Sequence, residues 1–413
     1  MKKFTFIVFV SFALNAFAQP SLSSYVSDIS RKEPFLSSVW GIEAARVDGE
    51  TLISYNAMQK MLPASNMKLI TTGLALRELG SNFRFETKFG SDGGIVDGIL
   101  EGNLYIVGGG DPTTDSTVFP EWKKLLDDNG IIGINGCIIG DSRYFTADAT
   151  HEDWCAGDYE SEDASPVYGL NFAHNYKDTL YGPEKVSGAE YCAYYFRKYL
   201  IENGVEVSGE YSDDENFGEG LSPSDSLYFI ASYHSAPLKN IIRKANEKSD
   251  NFYAEAILRT VGMQKGGGDG YPESIAAEMR ALKALGVDTS TGIKICDGSG
   301  LARMNYVSPD FFVRYLTAMA GTSVFPDFIK SLPCPGEGTL SGMLAKLPYE
   351  TRHRIHMKSG TLGAVRCFSG YIDPKPGCTN DQRIVFSLLT NNNTAPKGTV
   401  LTYLENIISL LAE

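Results

Sequence analysis

Metal-binding and disulfide patterns are missing from this sequence. Its seven cysteines (Cys137, Cys155, Cys192, Cys296, Cys334, Cys367 and Cys378) lie far apart, with no C-x-x-C and no ligand spacing against the five histidines. That excludes the usual zinc sites. The odd count leaves at least one thiol unpaired or paired between chains, and the connectivity is not readable from the chain. Positive charge is also short: 37 Lys and Arg stand against 50 Asp and Glu, for a net charge of −13. Nucleic acid and anionic membrane surfaces are poor partners for such a chain. There are no internal repeats and no low-complexity tracts. The apolar run from Phe4 to Leu14 falls well short of the ~20 residues that a membrane span needs.

That short run has a different reading. Lys2 and Lys3 precede it and Ala16-Phe17-Ala18 follows as a small-x-small cleavage site, so residues 1–18 predict a secretory leader and an exported, periplasmic or extracellular protein. No cysteine sits at the cleavage site, which argues against a lipid anchor. The remaining chain is longer than one hydrophobic core usually serves, which predicts two domains or one domain with a large insertion.

The pattern along the chain supports an insertion. Residues 40–56 read as a hairpin turning at Asp48-Gly49-Glu50, and Met67 to Leu79 carries apolar residues at helical spacing, with Ser65 at the helix start. From residue 83 to 236 the chain breaks into short strands and Gly or Asp turns, predicting a mainly β inserted domain between a first part (19–82) and a second part (237–413). Helical pattern returns over 237–260 and 272–285. The last third reads as strands RIHMKSG, VRCFSGYI and RIVFSLLTNN, followed by an amphipathic helix near Val400 to Leu411. That helix has no basic face, so it is expected on the sheet and not as a membrane anchor.

Three short stretches bear on chemistry. In Ser65-Asn66-Met67-Lys68, i and i+3 share a helix face, so the Lys68 amine reaches the Ser65 hydroxyl and can act as its base. In Ser249-Asp250-Asn251, a hydroxyl and an amide two residues apart can face one cavity, one to relay a proton and one to hold a peptide group. In Lys358-Ser359-Gly360-Thr361, strand alternation puts both hydroxyls on one face, and Gly360 leaves room for a substrate backbone. Singly, each has a plainer reading: two helix caps and a lysine before a turn. In the order S-x-x-K, S-D-N, K-[ST]-G, with each in the setting it requires, they form a signature of serine β-lactamases and penicillin-binding proteins. Two further stretches read as structural. Gly108-Gly109-Gly110 is expected in a tight turn, and His356 reads as a packed surface histidine.

The phrases around these motifs are more specific. PASNMKLITTGLAL, GGGDPT, GDSRYF, SPVYGLNFAHN, NEKSDNFYAE, DGSGLARMNYVSP and HMKSGTLGAVRCFSGYI resemble the low-molecular-mass class C penicillin-binding proteins, the S13 serine peptidase family of D-Ala-D-Ala carboxypeptidases with endopeptidase activity. The resemblance implies an α+β, multi-domain, transpeptidase-like fold, with an antiparallel sheet flanked by helices. It implies Ser65 as nucleophile and Lys68 as base. Ser249 would be the proton relay, Asn251 would hold Lys68 and the substrate amide, Lys358, Ser359 and Thr361 would bind the terminal carboxylate, and Gly360 would leave room for the substrate on that strand. The N–H groups of Ser65 and Thr361 would form the oxyanion hole, and Asp297-Gly298-Ser299-Gly300 would be structural. No cofactor or metal is expected. Peptidoglycan stem peptides are the expected substrates and β-lactams the expected covalent inhibitors. A β-lactamase and a non-catalytic peptidoglycan-binding relative are the alternatives, and the long separation of Ser65 from Ser249 argues against the first.

Overall fold

The computed structural model describes residues 22–32, 35–179, 182–214 and 226–413. The leader read from residues 1–18 lies outside them.

The core is an antiparallel five-stranded sheet. Its strands are β1 (Val39–Arg46), β2 (Thr51–Tyr55), β3 (Ile355–Leu362), β4 (Val365–Ile372) and β5 (Ile384–Asn391), in the spatial order β3-β4-β5-β1-β2. The N-terminal hairpin therefore completes a sheet begun by the last third of the chain, with Ile42 opposite Leu388 and Ala44 opposite Phe386. Both faces are covered, which is why β4 and β5 read as near-continuous apolar runs. One face packs Phe368, Ile372, Phe386 and Leu388 against α1 (Leu22–Ser30) and the C-terminal helix Lys397–Ala412. The other face sends Val365, Cys367, Tyr371, Val385 and Leu389 into the larger core, shared with α2 (Met67–Leu79), α3 (Leu238–Glu247) and α4 (Asn251–Val261). Met67 to Leu76 are all buried, so α2 runs through the core and is not an amphipathic surface helix.

The strand-rich middle of the chain leaves and returns through a paired neck. Strand Glu86–Ser91 lies antiparallel to Tyr228–His234, and Phe85 N–H donates to Ser235 Oγ at 3.0 Å. Beyond the neck are a five-stranded and a four-stranded sheet with several parallel pairs. Two helices, Phe119–Asp128 and Gly188–Glu202, pack on them through Trp122, Phe196 and Leu200. The turn-rich sequence conceals these helices, because their flanking strands are only two to six residues long. Among the described residues, no helix is long and apolar enough to cross a membrane, and no group of His, Cys, Asp and Glu is arranged to hold a metal ion.

Candidate active site

Ser65 sits where a tight turn meets a helix. Ala64–Asn66 form a 3-10 turn, Ala64 takes a left-handed φ of 48°, and α2 follows directly. One helical turn on, Lys68 projects back over the serine. Its Nζ lies 3.1 Å from Ser65 Oγ, 2.6 Å from Asn251 Oδ1 and 2.9 Å from the Ser299 carbonyl oxygen. A neutral amine has two hydrogens, and Asn251 and Ser299 are the two acceptors for them. Its lone pair is then left for the Ser65 hydroxyl. Burial draws the Lys68 amine down to about 8, even though Glu255, Asp297, Asp250 and Asp163 favour its charged form.

The Ser249-Asp250-Asn251 stretch is the break between α3 and α4. Asp250 does the capping, accepting the Tyr253 N–H at 3.1 Å and meeting His174 Nε2 at 2.9 Å. Ser249 is held in the left-handed region at φ 61°, and its side chain is turned into the cleft. Backbone of this kind costs about 1–3 kcal/mol per residue and tends to mark functional sites, and here it occurs at both Ala64 and Ser249. Asn251 gives its oxygen to Lys68, while its Nδ2 donates to the Asp163 carbonyl at 2.9 Å. One amide hydrogen therefore goes to the inserted segment.

Lys358-Ser359-Gly360-Thr361 lies on β3, the sheet edge, where alternate backbone groups have no neighbouring strand. Lys358 is fully buried, and its Nζ donates to Ser249 Oγ at 2.9 Å and to the Ser359 carbonyl at 2.7 Å. Its pKa is held well below the usual lysine range by burial and by Lys68. Four carboxylates favour charge on Lys68, and none counters the burial of Lys358. Gly360 differs from expectation. A side chain there would meet the Pro63 carbonyl oxygen at 2.6 Å and Asn66 Oδ1 at 3.0 Å. The glycine thus lets the strand close on the Ser65 turn and makes no room for substrate on the cleft side.

Ser65, Ser249, Asn251, Ser359 and Thr361 line one cleft of about 600 Å³, with Lys68 and Lys358 buried at its edge. Three stretches distant in the chain therefore meet around one cleft.

The support for Lys68 is largely hidden from the sequence. Glu255 on α4 accepts the N–H groups of Gly298 and Ser299 at 3.1 and 2.7 Å, fixing the loop whose Ser299 carbonyl holds Lys68. Burial and Asp297 raise the Glu255 carboxyl to about 7. Asp297 accepts from Trp154 Nε1, from the N–H groups of Gly300 and Ala302, and from Asn305 Nδ2. Gly300, at φ +85°, passes so close that a side chain would strike the Ala64 carbonyl. The phrase DGSGLARMN carried this information, but only as a glycine-rich loop. Thr339, whose hydroxyl meets Ser359 Oγ at 2.8 Å, left no signal at all.

Known proteins share this arrangement of elements. The chain is 25% identical over 423 residues to the D-alanyl-D-alanine carboxypeptidase of Actinomadura sp. (strain R39), covering 84% of this chain and 76% of that protein. The crystal structure of penicillin-binding protein 4 from Haemophilus influenzae superposes with a TM-score of 0.79 at 22% identity, covering 94% of this chain and 99% of that one. Bd3459, a predatory peptidoglycan endopeptidase from Bdellovibrio bacteriovorus, superposes with a TM-score of 0.59 at 16% identity, over 90% and 92% of the two chains. These likenesses show the fold. The family model for D-Ala-D-Ala carboxypeptidase 3 (S13) matches residues 22–188 and 184–402, and the chain belongs to that family.

Proposed function

We propose that this member of the family cleaves the bond between the two terminal D-alanines of peptidoglycan stem peptides through an acyl-enzyme on Ser65. The observation that carries the proposal is the placement of Lys68, whose Nζ lies 3.1 Å from Ser65 Oγ and within 2.6 and 2.9 Å of the acceptors Asn251 Oδ1 and the Ser299 carbonyl. Lys68 takes the hydroxyl proton as Ser65 Oγ bonds to the carbonyl carbon. The N–H groups of Ser65 and of Thr361 on the edge strand receive the developing oxyanion, an interaction whose loss typically costs ~10²-fold or more in rate. Ser249, bridged to Lys358, relays a proton to the departing D-alanine amine and is reprotonated at the expense of Lys68, which returns to the free amine. Water then attacks the ester, with Lys68 again as base.

Lys358, Ser359 and Thr361 form the seat for the terminal carboxylate. An entering carboxylate supplies Lys358 with the countercharge that its burial lacks, and a protonated Lys358 then keeps Lys68 neutral. Substrate binding thus favours the reactive protonation state. β-Lactams, which present a carboxylate and a strained amide to the same groups, acylate Ser65. In this reading, residues 19–82 and 237–413 form the transpeptidase-like domain, 83–236 form the insertion, and residues 1–18 direct export without a membrane anchor.

Product analysis on purified muropeptides tests the reading. Release of D-alanine from monomers marks carboxypeptidase action and cleavage of crosslinked dimers marks endopeptidase action, whereas rapid, steady hydrolysis of a chromogenic cephalosporin with no muropeptide product would make this a β-lactamase. The pH profile follows from Lys68. The amine is the active form and its pKa is lowered to about 8, so acylation should rise about tenfold per pH unit up to about 8 and then level off. An acylation rate that is flat from pH 6 to 9 would remove Lys68 as the base.

A further inference from the structure

A second cluster of reactive groups lies behind the strand that carries Lys358. Cys334 follows helix Phe325–Ser331, His356 is the second residue of β3, and Asp373 follows β4. Cys334 Sγ lies 3.6 Å from His356 Nδ1, and His356 Nε2 lies 3.3 Å from Asp373 Oδ2. Asp373 is anchored in turn by Arg383 Nε at 2.8 Å. The sheet register fixes this geometry, because Asp373 N–H donates to the Arg354 carbonyl and His356 lies opposite Tyr371. Thiol, imidazole and carboxylate thus stand in the order that activates a cysteine nucleophile, with the third group orienting the second. The mechanism at Ser65 uses none of them.

We propose that Cys334, His356 and Asp373 form a modification site, in which the Cys334 sulfur reacts with small soft electrophiles such as alkyl halides and peroxides.

The Cys334 sulfur lies against an imidazole that the anchored Asp373 carboxylate orients, so His356 can take the thiol proton as the sulfur attacks. Burial works against a charged ring at His356, but its hydrogen bonds to Asp373 and Cys334 outweigh this and raise it to about 9. The other charged or polar groups at hand are Glu337, whose carboxylate accepts the Cys334 N–H at 3.0 Å, and the His353 carbonyl, 3.9 Å from the sulfur. Glu337 opposes a negative sulfur, and His356 and Arg383 favour it. Access separates Cys334 from its neighbours. It keeps 7% of its surface open, whereas Cys192 and Cys367 keep none. Cys296 is open to the same 7%, but burial raises its thiol pKa, and Lys294, which acts against this, is offset by the carboxylates Asp153 and Asp297. It is a matched control. With hydrogen peroxide, the sulfur bonds to one oxygen as the O–O bond breaks. The departing hydroxide takes the imidazolium proton and leaves as water, and the sulfur is oxidised to the sulfenic acid.

Timed carbamidomethylation of the native full chain with iodoacetamide at pH 6.5, quantified by peptide mass spectrometry, tests the site. Here the sulfur displaces iodide, and the proton stays on the ring. Cys334 should be labelled at least tenfold faster than Cys296, and His356→Gln should slow Cys334 by tenfold or more while leaving the exposed Cys155 and Cys378 unchanged. If His356→Gln does not fold, the wild-type comparison still decides: the ratio of Cys334 to Cys296 labelling must shrink as pH rises and Cys296 ionises. Labelling of Cys334 no faster than that of Cys296 at pH 6.5, or at the wild-type rate in a folded His356→Gln protein, overturns the proposal.

Discussion

Lys68→Arg is expected to slow acylation of Ser65 by penicillin about 10³-fold, within the range that loss of a positioned base produces. Arginine keeps the charge and most of the length, so it preserves the attraction to the carboxylates Glu255, Asp297 and Asp250 that surround Lys68. It cannot lose its proton in a protein and has no lone pair to offer. The substitution therefore separates a lysine that stabilises charge from one that accepts a proton. Time-resolved labelling with a fluorescent penicillin measures the effect. A rate within tenfold of wild type would mean that the proton leaves Ser65 by another route.

Glu255→Gln carries the second large effect, and carries it without touching substrate. Both Glu255 oxygens accept backbone N–H groups in a fully buried setting. A glutamine turns one acceptor into a donor facing an N–H. That leaves a buried donor unsatisfied, at about 1–3 kcal/mol, and releases the Ser299 carbonyl from its place on Lys68. Denaturant unfolding should show that loss of stability. The acylation pH profile should also shift, because the Lys68 amine loses one of its two acceptors. A stability loss with an unmoved pH profile would make Glu255 a structural residue only.

Much of this site was legible because its chemistry depends on local periodicity. The i, i+3 step from Ser65 to Lys68 needs only a helix, and the alternation of Ser359 and Thr361 needs only a strand, so both can be read before any tertiary contact is known. The break at Ser249 was legible for a different reason, since Asp250 is a strong cap and a cap fixes where a helix begins. What could not be read are the contacts that close over long separations. Gly360 is a glycine because the turn at Pro63 lies against it, nearly 300 residues away in the chain. Glu255 looks like any acid on a helix until the loop at 298–299 folds over it. The two helices of the inserted segment were hidden among short strands, and the role of His356 depends on a cysteine and an aspartate brought to it by sheet register.

The most direct test of the central claim is peptide mass mapping of the intact protein after treatment with benzylpenicillin. One penicilloyl group per chain is predicted, on the peptide that contains Ser65, and it should be absent from Ser65→Ala. An adduct on any other residue, or an undiminished adduct in Ser65→Ala, would contradict the account.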